Sequence, residues 1–290
     1  MLRQALLTPK ELQRLHEQKL KVMVDNMYQV NNRLKEKVSI AVNKAKANPE
    51  RAVSAAFWAE KLKDSNALLD RAEAAWYSWL GTSKRGAIVN AVRDGERLAQ
   101  KVFAEASMSR QKYLAFDAKT INVFLNDSAA IMSTAIQSSR TQVQRLFMAT
   151  QQQLITERQI NDSLTASQIA GDAPGSQIAK ELLERSENGQ FIRINGRNYK
   201  IDSYAENLAR TRIAHAQAQG TINTVQEFGI DLVDWVASKD ACPLCQENDG
   251  ETFSISGTSN EYEPLREMPG TIHPGCSCTL VPNISGRNND

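Results

Sequence analysis

Apolar residues recur at steps of three and four along most of the first 187 positions, the spacing that lines one face of an α-helix. Leu20, Met23, Met27, Val30, Leu34, Val38 and Ala41 form one such seam. It predicts a helix of about 40 residues, or ~60 Å. Thr8-Pro9-Lys10-Glu11 is a start signal, a capping Thr with Pro at the first helical position and Glu to complete the capping box; Asn48-Pro49 is the stop. A second seam runs through Met132, Ile136, Val143, Leu146 and Leu154, with Gln151, Gln152 and Gln153 beside it. Between them, Trp58, Trp76 and Trp79 mark shorter amphipathic helices, with breaks near Gly81 and Ser107. Thin apolar stripes on long helices leave much surface for another chain to cover, so assembly into an oligomer or onto a larger particle is expected.

Near residue 170 the pattern changes. Gly171-Asp172-Ala173-Pro174-Gly175 reads as a loop, with a short helix from about Ser176 to Arg185. Phe191-Ile192-Arg193-Ile194 and Tyr199-Lys200-Ile201 flank Asn195-Gly196, the signature of a tight hairpin. Ser203-Tyr204-Ala205-Glu206 reads as a capping box opening a helix to about Phe228, with Gly229 as its stop. Leu232–Val236, Thr252–Ile255 and Thr279–Val281 are short strand candidates. The expected fold class is therefore α+β: long α-helices to about residue 187, then a small α+β module stapled by metal. The expected domains are 1–170, a helical docking and assembly region, and 171–290, the α+β domain.

The staple is read from the cysteines. All four lie in the last 50 residues, as Cys242-Pro-Leu-Cys245 and His273-Pro-Gly-Cys276-Ser-Cys278. Each half is a ligand type, then Pro, one free residue and Cys; Pro fixes a backbone dihedral, so each half can turn tightly and aim two side chains at one point. Cys242, Cys245, His273 and Cys276 make a Cys3His set suited to structural Zn2+. Cys278 is the spare fifth candidate; two residues beyond Cys276 on an extended segment, it shares a face with that thiol and could replace His273 or Cys276. Disulfides, which a reducing cytosol opposes, and buried thiols packing as small hydrophobes are the alternatives.

A catalytic zinc keeps one position open for water and needs a base nearby, whereas thiolates dominate here. Cys-x-x-Cys deaminases place Pro before the first cysteine and carry His-x-Glu upstream; this chain has Ala241. His16 and His215 stand alone in helical stretches, and Glu247, Asp249 and Glu251 read as a solvated acidic turn. No catalytic residue is expected.

Charge separates the two ends. Residues 1–47 carry ten Lys and Arg against four Asp and Glu, whereas residues 230–290 carry three against ten. An acidic module is a poor phosphate reader, and the basic N-terminal helix reads first as a solvated face, with contact to DNA or an acidic protein as the alternative. There is no apolar leader at Met1-Leu2-Arg3-Gln4-Ala5 and no apolar run near the ~20 residues of a membrane span. The chain is expected to remain where it is made, in a reducing cytoplasm, unless it is packaged into something larger.

The helix Tyr204-Ala205-Glu206-Asn207-Leu208-Ala209-Arg210-Thr211, Ala216-Gln217-Ala218-Gln219-Gly220, Glu227-Phe228-Gly229, Asp240-Ala241-Cys242-Pro243-Leu244-Cys245, Asn248-Asp249-Gly250 and His273-Pro274-Gly275-Cys276-Ser277-Cys278 come in an order that resembles the phage head morphogenesis family, the minor capsid proteins similar to protein F of phage Mu. The likeness spans roughly residues 185–283. The hairpin Ile194-Asn195-Gly196-Arg197 followed by Asp202–Glu206 is also similar to another phage minor capsid group. The family usually carries a basic residue where this chain has Ser277. The resemblance implies a few-copy virion component of a tailed phage or prophage head, associating with the portal protein or major capsid protein, assisting assembly or DNA delivery, and not an enzyme. A metal-dependent nuclease using His273 and a DNA-binding head protein are the competing readings.

Overall fold

The computed structural model describes residues 9–81, 86–106, 118–162 and 174–285. Its order is α1 (Pro9–Ala47), α2 (Pro49–Ala52), α3 (Ala55–Leu80), α4 (Ala87–Glu105), α5 (Ala118–Asp162), α6 (Pro174–Glu187), β1 (Ile192–Ile194), β2 (Arg197–Tyr199), α7 (Ile201–Glu227), β3 (Leu232–Val236), α8 (Pro243–Glu247), β4 (Thr252–Ser254), β5 (Glu263–Pro264) and β6 (Thr279–Pro282). The fold is α+β and mainly helical, as the periodicity predicts. Thr8, Ser107 and Gly171–Ala173, on which some sequence signals rest, lie outside the described residues.

Two compact units divide the chain. One comprises residues 1–22, 78–129 and 206–290, the other 23–77 and 130–205. These are packing units, each assembled from separated stretches of sequence.

In the second unit both seams turn inward. Met23, Met27, Leu34 and Val38 of α1, and Met132, Ile136, Val143 and Leu146 of α5, are buried. Trp58 is buried too, its ring 5.1 Å from Phe147 and its indole N–H donating to the Ala52 carbonyl at 2.6 Å. Buried indole N–H groups usually find a partner, and here the end of α2 supplies one. α6 starts at Pro174, two residues before the expected start, because Pro is already pre-shaped for the first helical position. The hairpin is antiparallel, Ile192 opposite Tyr199, and Asn195 and Gly196 have φ of 49° and 77°, the left-handed pair that a two-residue turn requires. Ser138 of α5 pins it, donating to the Arg193 carbonyl and accepting from the Arg193 N–H.

Helix α7 begins at Ile201, so Ser203 lies inside its first turn and is not the cap that the Ser-x-x-Glu pattern suggests. The Ile201 N–H donates instead to Asn31 Oδ1 of α1 at 3.2 Å, and Asn31 is 2% exposed. A side chain 170 positions away in sequence meets the need that the capping box would have met. Glu206, free of that duty, pairs with Arg210 one turn on. At the other end Gly229 has φ of 70°, with Gly229 N–H bonded to the Gln226 carbonyl and Ile230 N–H to that of Val225, the left-handed closure expected of this glycine.

The first unit holds a four-stranded sheet ordered β5-β4-β3-β6. β3 is antiparallel to β4 and β6, while the two-residue β5, which no sequence pattern announced, runs parallel to β4. The sheet's inner face presents Val233, Trp235 and Leu280 to Ala218, Ile222 and Val225 of α7 and to Ala99 and Phe103 of α4. Three of the four cysteines are in this same core.

Candidate metal centre

Cys242 caps the short helix α8, its carbonyl accepting from the N–H groups of Cys245 and Gln246. Pro243 at the first position suits that turn because its missing N–H would have had no partner. One helical turn therefore sets Cys242 and Cys245 on one side and leaves Leu244 exposed. The second knuckle turns at Gly275, φ 79°, where the Cys276 N–H reaches the His273 carbonyl.

These two turns, which the sequence places about 30 positions apart, converge. Ligand atoms of Cys242, Cys245 and His273 lie within 4.8 Å of one another, and so do those of Cys245, Cys276 and Cys278. Cys245 belongs to both triads and is fully buried. Its Sγ is 3.1 Å from His273 Nε2 and 3.9 Å from Cys276 Sγ. Tetrahedral zinc with bonds of about 2.3 Å to sulfur sets sulfurs roughly 3.8 Å apart, so the second distance already suits a shared ion. Cys276 and Cys278 gather on one face as the extended spacing predicts. The cysteines are all free thiols.

His273 is oriented for a ligand's role. Its Nδ1 lies 2.9 Å from the Pro274 carbonyl, which accepts but cannot donate, so Nδ1 carries the proton and the Nε2 lone pair faces the thiols. Without a cation the cluster resists ionisation unevenly. Burial pushes the Cys245 thiol up to about 12. The hydrogen bond donated by Cys278 pulls Cys276 down to about 5, and the same bond pushes Cys278 up. One thiolate shared among protonated neighbours is what a buried, uncompensated set can sustain; a bound dication would reverse the penalty on the others.

Sequence patterns did not reveal the side chains that hold the second knuckle. Thr211 of α7 accepts from the Gly275 N–H at 2.8 Å while donating to the Asn207 carbonyl at 2.7 Å. Gly270, φ 87°, lets the loop lie flat on α7, since a Cβ there would stand 2.4 Å from the Thr211 carbonyl oxygen. Thr211 is in the Tyr204–Thr211 run, yet nothing local links it to a glycine 64 positions on.

The remaining candidates fall elsewhere. His215 packs edge-on against Phe124 at 4.7 Å. His16 lies on α1, and its side chain is outside the described residues. Glu247, Asp249 and Glu251 join neither triad, and Asp249 instead accepts from the Ala237 N–H. Arg210 pairs with Glu206 and Arg212 with Asp127, so the partners of both are carboxylates on helices. The cluster opens on a cleft of ≈300 Å³ that also exposes Glu17, Arg210, Ser238 and Asp240. No helix among the described residues is long and apolar enough to cross a membrane.

No curated protein and no solved structure matches the chain. The family of phage minor capsid protein 2 does, over residues 15–289, a span that takes in the long helices and both cysteine knuckles, and the chain belongs to that family.

Proposed function

We propose that the protein is a structural component of the head of a tailed phage or prophage, present in the virion in few copies. Residues 1–170 serve as the helical part that docks on the portal protein or the major capsid protein, and residues 171–290 as the stapled domain. The family match over residues 15–289 is the observation that carries this reading. Long helices with exposed apolar residues such as Val22, Tyr28, Ile40 and Met148 agree with assembly onto a larger particle.

The staple is a single structural Zn2+ held by Cys242, Cys245, His273 and Cys276, with Cys278 as the spare thiol beside it. A set of three thiolates and one imidazole closes a tetrahedron and leaves no position for an activated water, which favours a structural over a hydrolytic role. Lys21, Arg33, Lys35, Lys37, Lys44 and Lys46, exposed along α1, are the surface available to packaged DNA during assembly or delivery.

Co-expression with the portal protein tests the central claim: the chain should copurify with portal rings or with heads, and its presence only in unassembled cytoplasmic fractions would refute it. Elemental analysis of the same material should give about one zinc per chain. Divalent-metal-dependent cutting of plasmid that is lost in His273→Ala would favour a nuclease instead.

A further inference from the structure

Helix α7 turns Ile213, Ala214 and Gln217, spaced for one face, toward a cavity of ≈530 Å³ in the same unit as the metal candidates. Leu20 of α1, Val236 and Ala237 at the end of β3, and Thr279 at the start of β6 continue its mainly apolar wall. Pockets of about 300–1,000 Å³ with an apolar lining and a few placed polar groups are the usual form of a binding site. The placed group here is Gln217, 6% exposed: its Nε2 donates to Thr279 Oγ1 at 3.1 Å, and no described group donates to its Oε1. That oxygen is not sealed in, for the fully enclosed side-chain atoms without partners lie elsewhere, and the open space beside Gln217 is the cavity. An acceptor left without a donor in such a place is costly, so an occupant that supplies one is favoured. At the rim stand Glu17 and Lys239, both exposed; Lys239, one of three Lys and Arg in residues 230–290, has no ion pair among the described residues.

Tryptophan and tyrosine each join a large apolar ring to a single donor, N–H or O–H, whereas phenylalanine and leucine lack the donor. We infer that the cavity is a socket for a Trp or Tyr anchor on another protein of the head, with the ring against Ile213, Ala214 and Val236, its donor on Gln217 Oε1 and a neighbouring carboxylate on Lys239. That the occupant is a protein side chain rests on the proposed head role, in which the partners are other protein chains; Trp and Tyr are also among the residues most enriched at the energetic centres of such interfaces. The metal staple holds one wall of the socket, since Ser238, Ser277 and Cys278 line both this cavity and the cleft over the metal candidates.

The N-acetyl amides of tryptophan, tyrosine and phenylalanine, titrated into the full chain and followed by saturation-transfer NMR, test the socket. The tighter of the first two should bind about tenfold better than the phenylalanine amide, and Gln217→Met should remove that preference. Equal binding of all three, binding of none, or a preference that persists in Gln217→Met would overturn the inference; the comparison on the unaltered protein stands even where the variant does not fold. In heads, p-benzoylphenylalanine in place of Glu17 at the rim should form an adduct with another head protein on irradiation. A chain present in heads with no such adduct, or joined only to a second copy of itself, would overturn the inference alone, whereas a chain absent from heads would overturn the head role on which it rests.

Discussion

Thr211 has one hydroxyl and uses it twice, giving its hydrogen to the Asn207 carbonyl and a lone pair to the Gly275 N–H. Gly275 precedes Cys276, so Thr211 would aim that proposed ligand without itself touching the ion. Supports of this kind are commonly worth 10–100-fold in metal affinity. Thr211→Val keeps the shape and loses both bonds; it should weaken zinc binding by about that factor while the far-ultraviolet spectrum stays unchanged, measured by competition with a chromophoric chelator. His215, one turn further on, titrates instead. Burial, then the Arg212 cation, hold its imidazole below the usual 6.5, with Asp127 partly opposing. The unfolded chain therefore takes up the proton first as pH falls. Its neutral ring contributes stability that is complete above about 6.5 and is lost as pH drops through the lower folded value. With zinc saturating, Tm should fall more between about pH 7.5 and 5.5 in the unaltered protein than in His215→Gln; parallel curves would show that the ring does not titrate there. Of these residues the sequence disclosed the five metal candidates, because a ligand pair two or three positions apart is a local pattern. Thr211 and Asn31 act across 64 and 170 positions, and no local pattern encodes such a pairing.

At the scale of elements, the helices were legible because burying a stripe every 3.6 residues leaves the same trace wherever it occurs. Every residue of the two predicted seams is buried. The α7 start was misread because a capping box is only one way to satisfy the first N–H groups, and Asn31 offered another. The two-residue β5 was missed because pairing of the Glu263 backbone with Phe253 asks nothing of side chains. What brings α4 onto α7 was also hidden. Gly95 lies against the Gln217 carbonyl and Gly220 against that of Val92: a Cβ would stand 2.0 Å away in the first case and 2.1 Å in the second. Backbone cannot yield as a flexible side-chain tip would. Gly95→Ala and Gly220→Ala should each cost about 1–3 kcal/mol or more by overpacking, read as a lower urea midpoint. The gain in helix propensity, about 1 kcal/mol, is too small to reverse the sign. An unchanged or higher midpoint in both would mean the two helices separate easily.

Across the whole molecule, the metal candidates and both turns that carry them fall in the unit formed by residues 1–22, 78–129 and 206–290. The other unit, residues 23–77 and 130–205, has its own core around Trp76, Met132 and Phe147. Chelation should therefore act unevenly. An ion present at roughly 1,000 times its Kd stabilises the unit that binds it by about 4 kcal/mol, which for 150–250 residues is about 8–16 °C in Tm. The strands concerned are two to five residues long, too short to hold register without cross-links or a strong core, whereas helices of 26 to 45 residues keep their own hydrogen bonds. Hydrogen exchange on the full chain, with and without a strong chelator, should show protection lost first at β3, α8, β6 and the loop through His273. Amides of α3 and of α5 after residue 130 should keep theirs at the same temperature. Uniform loss over both units would mean that the ion stabilises one cooperative block, and no loss anywhere would mean that the thiols are only core filling.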